Sequence, residues 1–220
     1  MNSEALRGRV AVVTGASSGI GAAVSRSLAR EGVHVALAAR RESALLEVQA
    51  GLEPRGDEVR NLVAATDVAD RDQVKSLVAR TEEELGPVDV LVNCAGVMYY
   101  TLMKNLREDD WERTVDVNCK GAINCIGAVL QGMLTRGRGH IVTISSDAGR
   151  KVFPGLSVYS GSKFFVEALS QGLRLETAGT GIQGDNRPTG QRCHRPSRAE
   201  QRRGGVEALR PAKWRARSGP

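Results

Sequence analysis

Aromatic residues are scarce in this sequence: three Tyr, three Phe and two Trp in 220 residues. Any core must therefore be built mainly from aliphatic side chains. Long apolar runs are missing too, and no stretch is long and apolar enough to cross a bilayer. The polar start, Met1 to Arg9, runs straight into an apolar segment and has no secretory pattern. The four cysteines show no C-x-x-C spacing, which points to neither a disulfide framework nor a zinc site. The three histidines, His34, His140 and His194, are scattered and build no metal cluster. These absences fit a reduced, cytoplasmic compartment and a site that needs no metal.

Charge is unevenly placed. The net charge of +6 invites a nucleic-acid reading, but residues 184–220 hold ten Lys/Arg against three Asp/Glu. The preceding 183 residues hold twenty-one against twenty-two. The basic excess belongs wholly to the last segment, and a run of this kind is usually just solvated. A nucleic-acid partner is therefore not expected.

The order of the remaining residues is informative. Val10–Thr14 is a short apolar run ending at a glycine turn, as a buried parallel strand should. A helix is expected over about 19–31, with Val24 and Leu28 on one face and Gly32 as its stop. Strand and helix then alternate: strand 33–39, helix 42–52, a strand within 59–68, helix 71–85, strand 88–93. A long helical stretch follows over 108–135, open to division, then strand 140–145 and a helix from near Tyr159 to Thr177. This alternation predicts an α/β fold, a doubly wound parallel sheet with helices on both faces and ligands at the carboxyl ends of its strands. After Gln183 the periodicity is lost, and Arg, Gly and Pro dominate. Residues 1–183 are read as the folded domain and 184–220 as a basic disordered tail. No sixth strand is expected, which would leave Ile141–Ile144 as an apolar edge, poor in solubility and weak or absent in activity. The abrupt change in composition suggests an alternative splice or shifted frame as the origin of residues 184–220.

Gly15, Gly19 and Gly21 follow the first strand and open the first helix. Glycines there let a phosphate approach the backbone, and the helix amino end presents free N–H groups to a pyrophosphate. At the end of the second strand an acid would hold the ribose hydroxyl of NAD, whereas an Arg would accept a 2′-phosphate. The residues there are Ala38-Ala39-Arg40-Arg41, so NADP(H) is favoured over NAD. Far downstream, Tyr159 and Lys163 stand four residues apart and share a helix face. A phenol near its ordinary pKa of about 10 is a poor base at neutral pH. A neighbouring ammonium favours its ionised form, so such a tyrosine can exchange a proton with a substrate oxygen. Ser146, thirteen residues earlier at a strand end, can hydrogen-bond the same oxygen, and Asn118 can complete a relay through Lys163 and water.

Together these segments resemble the short-chain dehydrogenase/reductase family over about residues 8–183. Thr14-Gly15-Ala16-Ser17-Ser18-Gly19-Ile20-Gly21 is similar to its cofactor motif, Asp67-Val68 to its adenine-contacting acid, and Asn93-Cys94-Ala95-Gly96 to its Asn-Asn-Ala-Gly motif. Val117-Asn118, Ile144-Ser145-Ser146 and Tyr159-Ser160-Gly161-Ser162-Lys163 resemble its catalytic segments. The resemblance implies a Rossmann-like sheet, incomplete at its carboxyl side. It implies Asn118, Ser146, Tyr159 and Lys163 as catalytic residues. The cofactor would be held by Gly15, Ser17, Ser18, Gly19, Ile20, Gly21, Arg40, Asp67, Asn93 and Gly96, with Tyr159 and Lys163. It further implies hydride transfer between NADP(H) and a small carbonyl or alcohol, and a homo-oligomer packed through helices 108–135 and 159–178. The family's sixth strand, Pro-Gly turn, substrate-covering segment and seventh strand find no match here. Pro188-Thr189-Gly190 is no substitute, because no apolar strand precedes it. The alternative reading is a non-catalytic product that binds dinucleotide or pairs with a full-length homologue.

Overall fold

The computed structural model describes residues 6–56 and 58–189. Six parallel strands form one sheet: β1 (Val10–Thr14), β2 (His34–Ala39), β3 (Asn61–Ala65), β4 (Val90–Asn93), β5 (Gly139–Ser146) and β6 (Ile182–Thr189). Their spatial order is β3-β2-β1-β4-β5-β6, so the chain reverses direction across the sheet between β1 and β4. The helices are α1 (Gly19–Arg30), α2 (Glu42–Ala50), α3 (Arg71–Glu84), α4 (Glu108–Val115), α5 (Gly121–Arg136) and α6 (Ser157–Glu176).

The central strands β1, β2 and β4 are largely apolar on both faces because helices cover both. Every residue of β1 is buried. Val10 and Val12 join one core with Leu77, Val117, Ile126, Met133 and Ile141. Ala11 and Val13 join the other with Ala22, Leu45 and Val48 from α1 and α2. At roughly 25 cal/mol per Å² of buried apolar surface, these two aliphatic layers are the main stabilising term. No described helix is long and apolar enough to span a membrane.

The long helical stretch, open to division in the sequence, is divided by a π-helical turn, Asp116–Lys120, between α4 and α5. Gly121 follows that turn because it lies against Val68, whose Cγ2 would be 2.6 Å from any added Cβ. One expectation needs correction. A sixth strand exists, and it pairs with β5 from Gly139↔Ile182 to Ser146↔Thr189. Regular structure therefore runs six residues past Gln183, and Ile141–Ile144 is an interior strand, not an exposed edge. The segment has no apolar strand signature, since its sequence is IQGDNRPT. Ile182 and Gly184 are buried, Gly184 against Leu173 and Arg174 of α6. Gln183 is exposed. Backbone pairing supplies the rest, and Pro188 is tolerated in an outer strand. The expectation of a disordered tail over the remaining residues, 190–220, lies outside the described residues.

Candidate active site

The carboxyl ends of β1 and β4 are tied together by one hydroxyl. Thr14 Oγ1 donates to the Val92 carbonyl at 3.4 Å and accepts from the Cys94 and Ala95 amides, each at 3.2 Å. Beside it, Gly15 turns with φ +65°, and an added Cβ would lie 2.8 Å from the Ala95 nitrogen. Gly21, in the first turn of α1, presses on the Gly15 carbonyl. Ser18 is the N-cap of α1 but makes no side-chain capping bond, and the first turn holds no acid. The amino end of α1 therefore keeps its dipole uncompensated by its own side chains.

This turn opens on a cleft of about 210 Å³ at the sheet's crossover, lined by Gly15, Ser17, Ser18, Arg40, Arg41, Asp67, Gly96 and Arg113 among others. Arg40 and Arg41 are exposed where β2 runs into α2. Asp67 is held from three sides: Arg113 Nη2 donates to its Oδ2 at 2.8 Å, Ala69 N to its Oδ1 at 3.0 Å, and Gln73 Oε1 accepts from its amide at 2.9 Å. Burial alone pushes the Asp67 carboxyl up. The Arg113 and Ala69 hydrogen bonds and the charges of Arg113 and Arg40 outweigh it and hold the group below the usual carboxylate range. Gly19, Ile20 and Gly21 lie behind the cleft, in the first turn of α1.

Behind the cleft floor lies a second, tiny cavity of about 10 Å³. It is lined by Asn93, Asn118, Thr143 and Lys163 among others, and its size suits a single water with polar neighbours. Asn93 is buried, and neither of its amide atoms has a protein partner. Lys163 is also buried and donates from Nζ to the Ile144 carbonyl at 2.9 Å. Its Nζ is 5.7 Å from the Tyr159 ring centre. Burial pushes the Lys163 amine down, while the Cys94 and Cys119 thiols act in the opposite direction. Burial also pushes Cys94 up to about 12, so that thiol is neutral near pH 7 and offers the lysine no charge. Burial is therefore the dominant influence on Lys163.

Asn118 sits in the π-helical turn, a distortion frequent at functional sites. Its Oδ1 accepts from the Val97 amide at 2.8 Å, and its Nδ2 donates to the Val97 carbonyl at 3.0 Å and to Ser162 Oγ at 2.9 Å. Ser162 in turn donates to the Tyr159 carbonyl at 2.7 Å. No direct bond joins Asn118 and Lys163 among the described hydrogen bonds, and the expected relay between them is one through water. They converge on Gly96, where an added Cβ would lie 3.4 Å from Asn118 Oδ1 and 3.9 Å from Lys163 Nζ. Ser146 ends β5 and its Oγ accepts from the Ala148 amide at 3.2 Å. Tyr159 is the third residue of α6 and is half-buried. Neither lines the two cavities.

Sequence reasoning named Thr14 only as part of the turn and missed Arg113 and Ser162 as site residues. Arg113 reaches Asp67 across 46 positions and leaves no local signal. Ser162 had one: a small polar residue between Tyr159 and Lys163 on a helix is suited to a buried face. Among the described residues, no three His, Cys, Asp or Glu converge as a metal set.

A short chain dehydrogenase family model matches residues 9–186. The glycine betaine reductase ATRR of Emericella nidulans is 64% identical over 177 residues, covering 80% of this chain but 14% of the relative. An uncharacterised oxidoreductase of Staphylococcus saprophyticus is 42% identical over 177 residues, covering 80% of this chain and 75% of the relative. Among solved structures, the apo form of LigO from Sphingobium superposes with a TM-score of 0.79 at 31% identity, covering 86% of this chain and 69% of that one. NAD+-bound xylitol dehydrogenase superposes at 0.78 and 31%, covering 82% and 69%. The match in sequence, the parallel sheet and the cleft at its crossover agree: the chain belongs to the short-chain dehydrogenase/reductase family of NAD(P)-dependent oxidoreductases.

Proposed function

We propose that this chain is an NADP(H)-dependent oxidoreductase acting on a small carbonyl or alcohol through Ser146, Tyr159 and Lys163. The observation that carries the reading is the join between the two cavities. Gly96 borders the cleft on one side and meets Asn118 and Lys163 on the other, with the lysine amine 5.7 Å from the Tyr159 ring centre. The residues fit a dinucleotide. The glycine turn leaves no room for side chains at Gly15 and Gly21, and the amino end of α1 lacks a competing acid. When bound, the nicotinamide group supplies or takes the hydride.

The chain's own residues do the remainder. Gly15, Ser17, Ser18 and the first turn of α1, Gly19–Gly21, face the diphosphate. Arg40, with Arg41 beside it, receives a 2′-phosphate. Asp67, kept ionised by Arg113, accepts from the adenine amine. Asn93 and Gly96 form the floor. During reduction Tyr159 gives its proton to the substrate oxygen, and the positive charge on Lys163 stabilises the phenolate left behind. Ser146 hydrogen-bonds the same oxygen. Asn118 positions the site through Val97 and Ser162.

The name of the Emericella relative supports a small carbonyl or alcohol substrate and makes a trimethylammonium compound the first to test. Exposed Val115, Ile123, Phe164 and Phe165 on α4, α5 and α6 support pairing of copies through those helices. The free thiols Cys94, Cys119 and Cys125 support a cytoplasmic setting. The alternative, a non-catalytic product that binds dinucleotide or pairs with a full-length homologue, drew on the expected loss of the last two strands and the substrate-covering segment; β6 supplies the sixth strand, and residues 190–220 lie outside the described residues.

The test is NADPH binding by the purified chain, by fluorescence titration. Arg40→Asp is expected to weaken it by about tenfold or more, the value of one charge-assisted hydrogen bond. Tyr159→Phe is expected to retain binding and lose turnover. Unchanged NADPH affinity in Arg40→Asp would overturn the cofactor choice.

A further inference from the structure

Asn118 is carried by a turn whose two flanks grip the same short loop. Helical backbone runs without a break from α4 through the π-helical turn, Asp116–Lys120, into α5. The loop is the stretch from Asp67 to Ala69, just after β3, and its first two residues line the cleft. On the α4 side, Arg113 Nη2 donates to Asp67 Oδ2 at 2.8 Å. On the α5 side, Asn124 Nδ2 donates to the Val68 carbonyl at 2.9 Å and to the Ala69 carbonyl at 3.3 Å. Between them Gly121 packs on Val68, whose Cγ2 would be 2.6 Å from an added Cβ. Val117, inside the turn, and Val68 each line both the cleft and the small cavity behind its floor.

The two flanks are unequal. Asn124 and Gly121 hold backbone carbonyls and a buried side chain. The Arg113–Asp67 pair is the looser grip: its side chains are 29% and 28% exposed, and both residues line the cleft. Little else fixes α4. Its amino end makes no side-chain capping bond. Its other side-chain bonds among the described residues are local, from Arg107 to Asp110 at 3.2 Å and from Thr114 to the Asp110 carbonyl at 2.6 Å. The Trp111 indole N–H is buried with no partner.

A ligand in the cleft strengthens the looser grip. Water beside a partly exposed ion pair screens it, and a ligand that displaces this water lowers the local dielectric and raises the attraction. Asp67 also keeps capacity for the ligand itself. Oδ1 accepts from Ala69 N and Oδ2 from Arg113, and each oxygen has a second lone pair. A more firmly held Arg113 fixes α4, and Asn118 stands five residues further along the same helical backbone.

We infer that Arg113 is a positioning residue that transmits occupancy of the Asp67 side of the cleft to Asn118; this rests on the nucleotide-binding reading above. The adenylate half of the nucleotide then does more than anchor it. It steadies the turn that holds Val97 and, through Ser162, the first turn of α6. Binding energy gained far from the reacting atoms is used to order them.

The test is amide hydrogen exchange of the full chain with adenosine 2′,5′-bisphosphate, which has the adenylate half and the 2′-phosphate but no nicotinamide. At saturation the probe is expected to slow exchange over residues 15–21, and over 113–121 by about threefold, the scale of a partly exposed ion pair relieved of solvent. Arg113→Met is expected to bind the probe more weakly, keep the slowing over 15–21 and lose it over 113–121. Arg113→Lys, which keeps the charge, retains part of it. Asp67→Asn breaks the same pair from the other side and loses it too, so a variant that fails to fold leaves the other to decide. A merely structural Arg113 would loosen 113–121 with and without the probe and leave the slowing in place, which overturns the inference. Probe bound to the parent with no slowing over 113–121 also overturns it. Loss of all probe binding in folded Arg113→Met makes Arg113 a direct ligand contact and overturns the positioning role. Failure of the parent to bind the probe overturns the nucleotide reading beneath it.

Discussion

The glycine turn after β1 and the loop that leaves β4 through Met98, Tyr99 and Tyr100 are made of different materials. The turn is built from backbone: Gly15 and Gly21 leave no room for a side chain against other backbone atoms, and the Thr14 hydroxyl ties the strand ends together. The loop instead presents exposed side chains, fastened by the bond from Thr101 N to the Gly155 carbonyl. A shape held by backbone is costly to alter and suits a ligand shared by a whole family. A shape held by loop side chains can be changed one residue at a time and suits a substrate that differs between members.

That contrast can be broken or sharpened, beginning with the largest effect. Tyr159→Phe is expected to lower kcat about 10²–10⁴-fold, the usual worth of a general acid, while leaving NADPH affinity nearly unchanged. Stopped-flow turnover and fluorescence titration check the two halves of that statement. Gly15→Ala forces an L side chain to φ +65° against the Ala95 backbone. It is expected to cost about 1–3 kcal/mol, roughly 3–10 °C in thermal midpoint for a domain of this size, and to weaken NADPH binding with it. A variant that melts and binds like the parent would end the claim that backbone governs this side.

Asn118→Ala removes three hydrogen bonds at once and leaves the Val97 amide and carbonyl without their partner. A loss of about 1–3 kcal/mol is expected, visible in urea midpoints. Activity should fall further than stability, because the Ser162 link to the Tyr159 turn goes too. The smallest effect is at Asp67. Its folded pKa lies below the ordinary 3.8, so its contribution is fully present above that value and is lost as pH falls through the lower, folded one. Asp67→Asn should therefore lower the midpoint by about 1–3 °C at pH 7, in line with a half-exposed ion pair, and the gap to the parent should close below pH 4. A gap that persists unchanged at pH 3 would mean the charge on Asp67 plays no part.

Much of this was legible in residue order. Val10–Thr14 followed by Gly15, and Tyr159 four residues before Lys163, carry local signals, because strand burial, turn geometry and helix spacing are each short-range. The features that escaped are long-range or carried by backbone. β6 has one large buried aliphatic, Ile182, and is held by its ladder to β5, so its residues look like coil. The π-helical turn at Asp116–Lys120 has no Pro to announce it and is associated with the close fit of Gly121 on Val68. Arg113 reaches Asp67, and Ser162 reaches Asn118, only once the sheet has brought distant helices together.

The bond from Lys163 to the Ile144 carbonyl has a geometric consequence. Its lysine stands one helical turn after the tyrosine, and its carbonyl stands two residues before the serine. A single contact therefore works as a fixed ruler between the Ser146 end of β5 and the Tyr159 turn of α6: if β5 slides, the amine slides with it, and the spacing between hydroxyl and phenol is tied to the sheet as well as to the loop that separates them in the chain.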